Sequence, residues 1–171
     1  MNKNIFSSIF FAISFSILAG NCQSNTQITK QKSEIPSIEV LLPDSASIFQ
    51  TTTLTQKKPV VLLFFNTTCD HCQQEALDLV MHKTELKKIQ LVMMSSENLN
   101  VIRKFYDQYE LSSINKLIIG KDIRNSGMKH FKYESVPFCA IYTRNHLFIA
   151  SLERDFKTVE ILQLLKAKGE F

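Results

Sequence analysis

The feature that most constrains this chain is a run of six apolar residues, Val60-Val61-Leu62-Leu63-Phe64-Phe65, which leads through Asn66-Thr67-Thr68 into Cys69-Asp70-His71-Cys72. Its length and its β-branched and aromatic content favour a strand. The absence of polar alternation means that both faces of that strand are covered. Asn66-Thr67-Thr68 is a turn and helix-start signal. Residues 70–88 then read as a helix with Cys72, Ala76, Leu79, Val80 and Leu86 along one face. A buried strand, a turn and a helix that opens on two cysteines is the nucleus of the fold.

The rest of the chain can be arranged around it. Residues 38–42 read as a short strand stopped by Pro43-Asp44, with a polar stretch up to Lys57-Lys58-Pro59. Residues 89–94 are a second buried strand. Ser95-Ser96 offers an N-cap for an amphipathic helix marked by Leu99, Ile102, Phe105, Tyr106 and Tyr109. Residues 116–119 are a third strand, ended by Gly120, and a shorter helix follows over 123–131. Ser135-Val136-Pro137 breaks it. Residues 138–142 and 146–152, joined by Thr143-Arg144-Asn145, read as an antiparallel hairpin. A last helix spans 156–168, with Val159, Leu162 and Leu165 facing in. The order β, βαβα, βα, ββα predicts an α/β fold with a central mixed sheet flanked by helices. Parallel strands come first, linked by crossover helices, and antiparallel strands close the sheet. A length of 171 residues and 44% apolar content suit one such domain. Open sheets of this kind gather their sites beyond the C-terminal ends of the strands, where Cys69 and Cys72 fall.

Two cysteines at the start of a helix have a chemical reading of their own. The thiolate is the reactive species, and the unpaired N–H groups and positive dipole end of a helix N-terminus favour it. Cys69, at the first turn, is the expected attacking thiol. Cys72, one turn further in, is expected to be buried and to resolve a mixed disulfide. His71 can stabilise a Cys69 thiolate when protonated or face solvent as an ordinary turn residue, and Asp70 opposes it with a negative charge. No metal site is expected, because structural zinc needs four ligands and the chain has no second C-x-x-C. His82, His130 and His146 are scattered and read as surface or structural residues. Gln73, not histidine, follows Cys72, which argues against c-type haem attachment. No cofactor is called for. Cys139 reads as an inert core residue of a strand. The formal charge is only +4, with Lys and Arg scattered. There is no basic stripe of the kind that binds nucleic acid. No dimerisation element is evident, so a monomer is expected.

The first residues read as a targeting segment. Lys3 supplies a positive start and residues 5–19 an apolar stretch too short to span a bilayer, as in a secretory signal. Leu18-Ala19-Gly20-Asn21-Cys22 resembles a bacterial lipobox, with Asn21 departing from its usual small residue. The resemblance implies a signal peptide over 1–21, removed to leave a lipidated Cys22 that anchors the protein to a membrane of the bacterial cell envelope, facing the periplasm. Residues 22–34 are polar and read as a flexible tether, and 35–171 as the folded domain. Export would place Cys69 and Cys72 where a disulfide persists.

The segment from Val60 through Cys69-Asp70-His71-Cys72-Gln73-Gln74-Glu75 resembles the active-site strand and helix of TlpA- and ResA-like members of the thioredoxin family. Ile35-Pro36-Ser37-Ile38-Glu39-Val40 resembles the N-terminal extension they share with peroxiredoxins. Tyr133-Glu134-Ser135-Val136-Pro137-Phe138 resembles their cis-proline loop. The resemblance implies a thioredoxin-like fold and thiol–disulfide exchange, with Cys69 as nucleophile, Cys72 as resolving cysteine and Pro137 as the cis-proline. It further implies that the backbone at Val136 pairs with an extended substrate segment, and that Glu75 relays the proton of Cys72. The implied partners are thiols and disulfides of exported proteins and a membrane or soluble redox partner, with reduction the more common direction and oxidation open. Thr68 replaces the family's usual bulky residue, and Leu63 falls where thioredoxin has a buried aspartate. Two alternatives stand beside this reading. In a peroxiredoxin, Pro-x-x-x-Thr-x-x-Cys binds peroxide, but here Leu62 and Asn66 take the proline and threonine positions. A metal-binding or envelope-assembly module on the same scaffold is the other.

Overall fold

The structure, a computed structural model, describes residues 34–171. The expected signal segment, Cys22 and all of the tether but Glu34 lie outside the described residues.

The apolar run forms β3 (Val60–Phe64), and all of its residues are buried. Its neighbours explain why it carries no polar face. On one side it pairs in parallel with β4 (Gln90–Ser95), and on the other it pairs antiparallel with β6 (Phe138–Tyr142). The full sheet adds β1 (Glu39–Leu41), β2 (Ile48–Gln50), β5 (Ile118–Asp122) and β7 (Phe148–Glu153). Its order is β2-β1-β5-β4-β3-β6-β7. The helices are α1 (Asp70–Met81), α2 (Leu99–Gln108), α3 (Ser126–Phe131) and α4 (Thr158–Ala167). This is the expected mixed sheet flanked by helices, and the fold is thioredoxin-like.

Alternate residues of β3 feed two separate cores, as the two-residue period of a strand requires. Val61 and Leu63 point to the face covered by α1, α2 and α4, together with Cys72, Ala76, Leu79, Ile102, Phe105, Ile161 and Leu165. Val60, Leu62 and Phe64 point to the opposite face, where Ile38, Val40, Leu54 and Phe131 cover them.

Several boundaries differ from the sequence reading, each for a local reason. Helix α1 stops at Met81 instead of reaching residue 88; residues Glu85–Lys88 form a separate 3-10 turn that still buries Leu86. Ser95 is the end of β4 and caps no helix, since Asn98 takes the N-cap position of α2. Gly120 does not end β5. It sits inside the strand because a Cβ there would lie 2.3 Å from the carbonyl oxygen of Leu41, where β1 crosses close by. In α4 the inward face is Thr158, Ile161 and Leu165, whereas Val159 is 43% exposed. Strand β2, hidden in a stretch read as polar loop, pairs antiparallel with β1 at the sheet edge.

Candidate active site

The turn after β3 is built by one side chain. The Asn66 side-chain oxygen accepts from the Thr68 amide at 2.9 Å and from the Thr68 hydroxyl at 2.7 Å, an Asx turn that reverses the chain. Cys69 follows as the N-cap of α1, one position earlier than the first turn expected for it. Its extended backbone lets Sγ accept from the Cys72 amide at 3.4 Å, satisfying one of the orphan N–H groups of the helix start. The same sulfur lies 3.4 Å from the carbonyl oxygen of Val136, to which the thiol donates. The Val136–Pro137 peptide bond is cis. Residues 67 positions apart in sequence thus meet at one sulfur.

Cys69 is half-buried and Cys72 is 2% exposed. The Asn66 amide donates to Cys72 Sγ at 3.5 Å. Burial pushes the Cys72 thiol well above its ordinary value. The Asn66 hydrogen bond opposes that shift, while the Cys69 sulfur and the charge of Glu97 add to it. Cys72 is thus the buried thiol of the two, as its place one turn into the helix leads one to expect, and Cys69 the more accessible one.

Glu75 lies one turn after Cys72 on the buried face of α1 and is 2% exposed. One carboxyl oxygen accepts from the Thr158 hydroxyl at 3.0 Å at the start of α4, and the other has no hydrogen-bond partner among the described residues. Burial raises its pKa to about 8, outweighing the Thr158 hydrogen bond. Its hydrogen bond is with Thr158, and its charge also bears on Cys139.

His71 pairs with Asp155: its Nδ1 lies 2.8 Å from an Asp155 carboxyl oxygen in the loop before α4. Cys139 is fully buried in β6 opposite Leu63 of β3, and burial pushes its thiol upward. Its placement fits the core reading.

Two carboxylates that sequence reasoning passed over hold the loops of the site. Glu97 accepts from the Thr67 amide at 2.7 Å and the Thr67 hydroxyl at 3.0 Å. Glu153, at the end of β7, accepts from the Glu134 amide at 2.8 Å and from the amide and hydroxyl of Ser135 at 2.5 and 2.9 Å. Burial works against its charge, yet these hydrogen bonds hold it below its ordinary value. Ser95-Ser96 carried only a helix-start signal, and Glu97 beside them carried none. The distance in sequence between each carboxylate and its loop leaves no local trace.

The chain belongs to the AhpC/TSA family, which matches residues 32–149. Family and fold together make it a thioredoxin-like oxidoreductase. A search of curated proteins finds no match to the sequence. Among solved structures, it is similar to a secreted Mycobacterium tuberculosis disulfide oxidoreductase homologous to E. coli DsbE. That match has 17% identity and a TM-score of 0.62, covering 77% of this chain and 95% of the other. A thiol:disulfide interchange protein from Chlorobium tepidum matches at 14% identity and a TM-score of 0.63, over 79% and 94% of the two chains. The reduced 2-Cys peroxiredoxin of Plasmodium vivax matches at 18% identity and a TM-score of 0.61, over 80% and 94%.

Proposed function

We propose that this protein is a TlpA/ResA-like thiol–disulfide oxidoreductase that reduces disulfides of exported proteins. In this reading it works in the cell envelope, held at a membrane by lipid on Cys22 and recharged by an envelope redox partner. The observation that carries the reading is one meeting point: Cys69 Sγ at the N-cap of α1, against the Val136 carbonyl that precedes a cis-proline, with Cys72 buried beside it.

The chemistry follows from that arrangement. The Cys69 thiolate, favoured by the helix N-terminus, attacks one sulfur of a substrate disulfide. A Cys69–substrate disulfide forms and the other substrate sulfur leaves as a thiolate, which takes up a proton. Cys72 then loses its proton and attacks Cys69 Sγ, forming the Cys69–Cys72 disulfide and releasing the second substrate thiolate. The protein's two thiols are oxidised and the substrate disulfide is reduced by the same two electrons. Burial holds the proton on Cys72, so that proton needs an acceptor before the second attack. Glu75 is a buried carboxyl one turn on, and a group titrating near 8 exchanges protons at neutral pH. An extended substrate segment pairs with the backbone at Val136. Beside it lies a groove of about 380 Å³ lined by Glu134, Ser135, Leu152 and Phe156 among others.

Trapping tests this reading. Cys69→Ser abolishes exchange, and Cys72→Ser accumulates mixed disulfides joined through Cys69, identified by mass. Mixed disulfides joined through Cys139 instead would place the reactive centre elsewhere.

Peroxide reduction is the second reading, favoured by the AhpC/TSA match and the shared fold of a 2-Cys peroxiredoxin. Leu62 and Asn66 leave it without the proline and the threonine hydroxyl of the peroxide-binding pattern. Consumption of hydrogen peroxide by a protein that leaves disulfides untouched would decide for it.

A further inference from the structure

The geometry points to Glu97 as the positioning residue of the thiol loop: its carboxylate pins Thr67 and thereby fixes where Cys69 stands at the start of α1. The inference rests on the exchange reading for its biological meaning but concerns geometry that can be tested without a disulfide substrate.

Of the four residues between β3 and Cys69, Thr67 and Thr68 donate to side-chain anchors. Asn66 anchors Thr68 from within the turn. Thr67 has no anchor within the turn and is held from outside: its carbonyl accepts from Gln73 Nε2 of α1 at 3.1 Å, and its donors turn to Glu97. Glu97 grips both of its donors, the amide with Oε2 and the hydroxyl with Oε1. A carboxylate that accepts two bonds from one residue fixes orientation as well as distance. Glu97 is itself fixed. Its Oε2 also accepts from the Ser95 hydroxyl at 3.2 Å, and its amide donates to that same hydroxyl at 3.2 Å. Ser95 is the last residue of β4 and is buried. The chain of contacts thus runs from the rigid sheet through Ser95 and Glu97 to Thr67, and two residues later to the sulfur. Loss of that chain leaves both donors of Thr67 unheld, with only its carbonyl tied to Gln73, and loosens the loop that presents Cys69 to the α1 amides and to Val136.

Glu97 also carries a charge that acts on the site, for it adds to the upward push on Cys72. Charge and hydrogen bonding have opposite effects on a nearby thiolate. The negative charge disfavours it, whereas holding Cys69 at the helix N-cap favours it. Two substitutions separate them. Glu97→Gln removes the charge and keeps an oxygen that accepts from the Thr67 amide. Glu97→Ala removes both. The difference between the two variants therefore reads the hydrogen bonds alone. Asp70, His71 with Asp155, and Cys72 are the other ionisable groups around Cys69. They are common to both variants and cancel in the comparison.

The experiment is the pH profile of Cys69 alkylation by iodoacetamide in the intact reduced protein, with the modified cysteine identified by peptide mass. A looser loop changes access and so the plateau rate, but only thiolate stabilisation moves the midpoint. The expected result is a midpoint in Glu97→Ala higher than in Glu97→Gln by about 0.7 pH unit, the equivalent of a five-fold loss for a missing cap interaction. Coincident midpoints in the two variants would overturn the assignment. If Glu97→Ala does not fold, Thr67→Val removes the hydroxyl leg alone. A midpoint raised by about 0.3 pH unit, half of that effect, supports the assignment, and a wild-type midpoint overturns it. A wild-type protein that alkylates at Cys69 but exchanges no disulfide would sink the exchange reading while leaving this comparison in force.

Discussion

Glu75 shows how one residue couples the interior to solution conditions. Its folded pKa of about 8 stands above the ordinary glutamate value of 4.5, because burial penalises the charged form. The folded state therefore holds a proton that the unfolded chain has released between those two values. In that window stability falls as pH rises, and above about 8 the loss is complete. Glu75→Gln, which stays neutral, should match the wild type near pH 4.5. It should become progressively more stable relative to it up to pH 8, by at most about 5 kcal/mol for the whole interval. Thermal unfolding of both proteins across that range tests this, and parallel pH curves would show that Glu75 is not buried as a neutral acid. At this scale the sequence was informative about types and weak about contacts. The roles expected of Cys69 and Cys72 follow from a helix start, which local sequence announces. That Glu75 would meet Thr158 and that Glu97 would meet Thr67 depends on segments 83 and 30 residues apart in the chain.

Elements were legible where the hydrophobic period was strong. β3 and β4 declared themselves as continuous apolar runs, because a strand buried on both faces has no other way to read. β2 did not, since a short edge strand with Ile48 half exposed offers no alternation to detect. In α4 the period was found but its phase was misjudged. Val159 and Leu162 read as inward residues beside Leu165, whereas packing against the sheet turns Thr158 and Ile161 inward with it. The short α3 depends on tertiary support. Both Asp122 carboxyl oxygens take up its first amides, from Ser126 at 2.9 Å and Gly127 at 2.8 Å, and Gly127 rides on the Phe64 ring. A Cβ at residue 127 would fall 1.9 Å from the Phe64 ring. Gly127→Ala should therefore displace α3 or the ring and destabilise the protein by about 1–3 kcal/mol, although alanine is the better helix former. Chemical denaturation measures this, and unchanged stability would mean that α3 is not seated on Phe64.

Across the whole molecule, the sheet divides the interior into two cores, with α1, α2 and α4 over one and α3 and the N-terminal segment over the other. The element order predicted from sequence gives this layout because crossover helices and short connections leave few ways to thread it. The layout puts the turn after β3 beside the loop before β6, since those two strands are neighbours. Juxtaposition of Cys69 with Val136 is thus a consequence of strand order as much as of either loop. The central claim is that this meeting point makes Cys69 and Cys72 one redox unit. The most direct measurement is a titration of the intact protein in thiol/disulfide buffers, with alkylation and peptide mass reporting each cysteine. The account predicts that Cys69 and Cys72 oxidise together at a single midpoint while Cys139 stays reduced. For a reductase that midpoint lies near about −270 mV, and for a disulfide donor near about −120 mV. Failure of the two to titrate as a pair would contradict it.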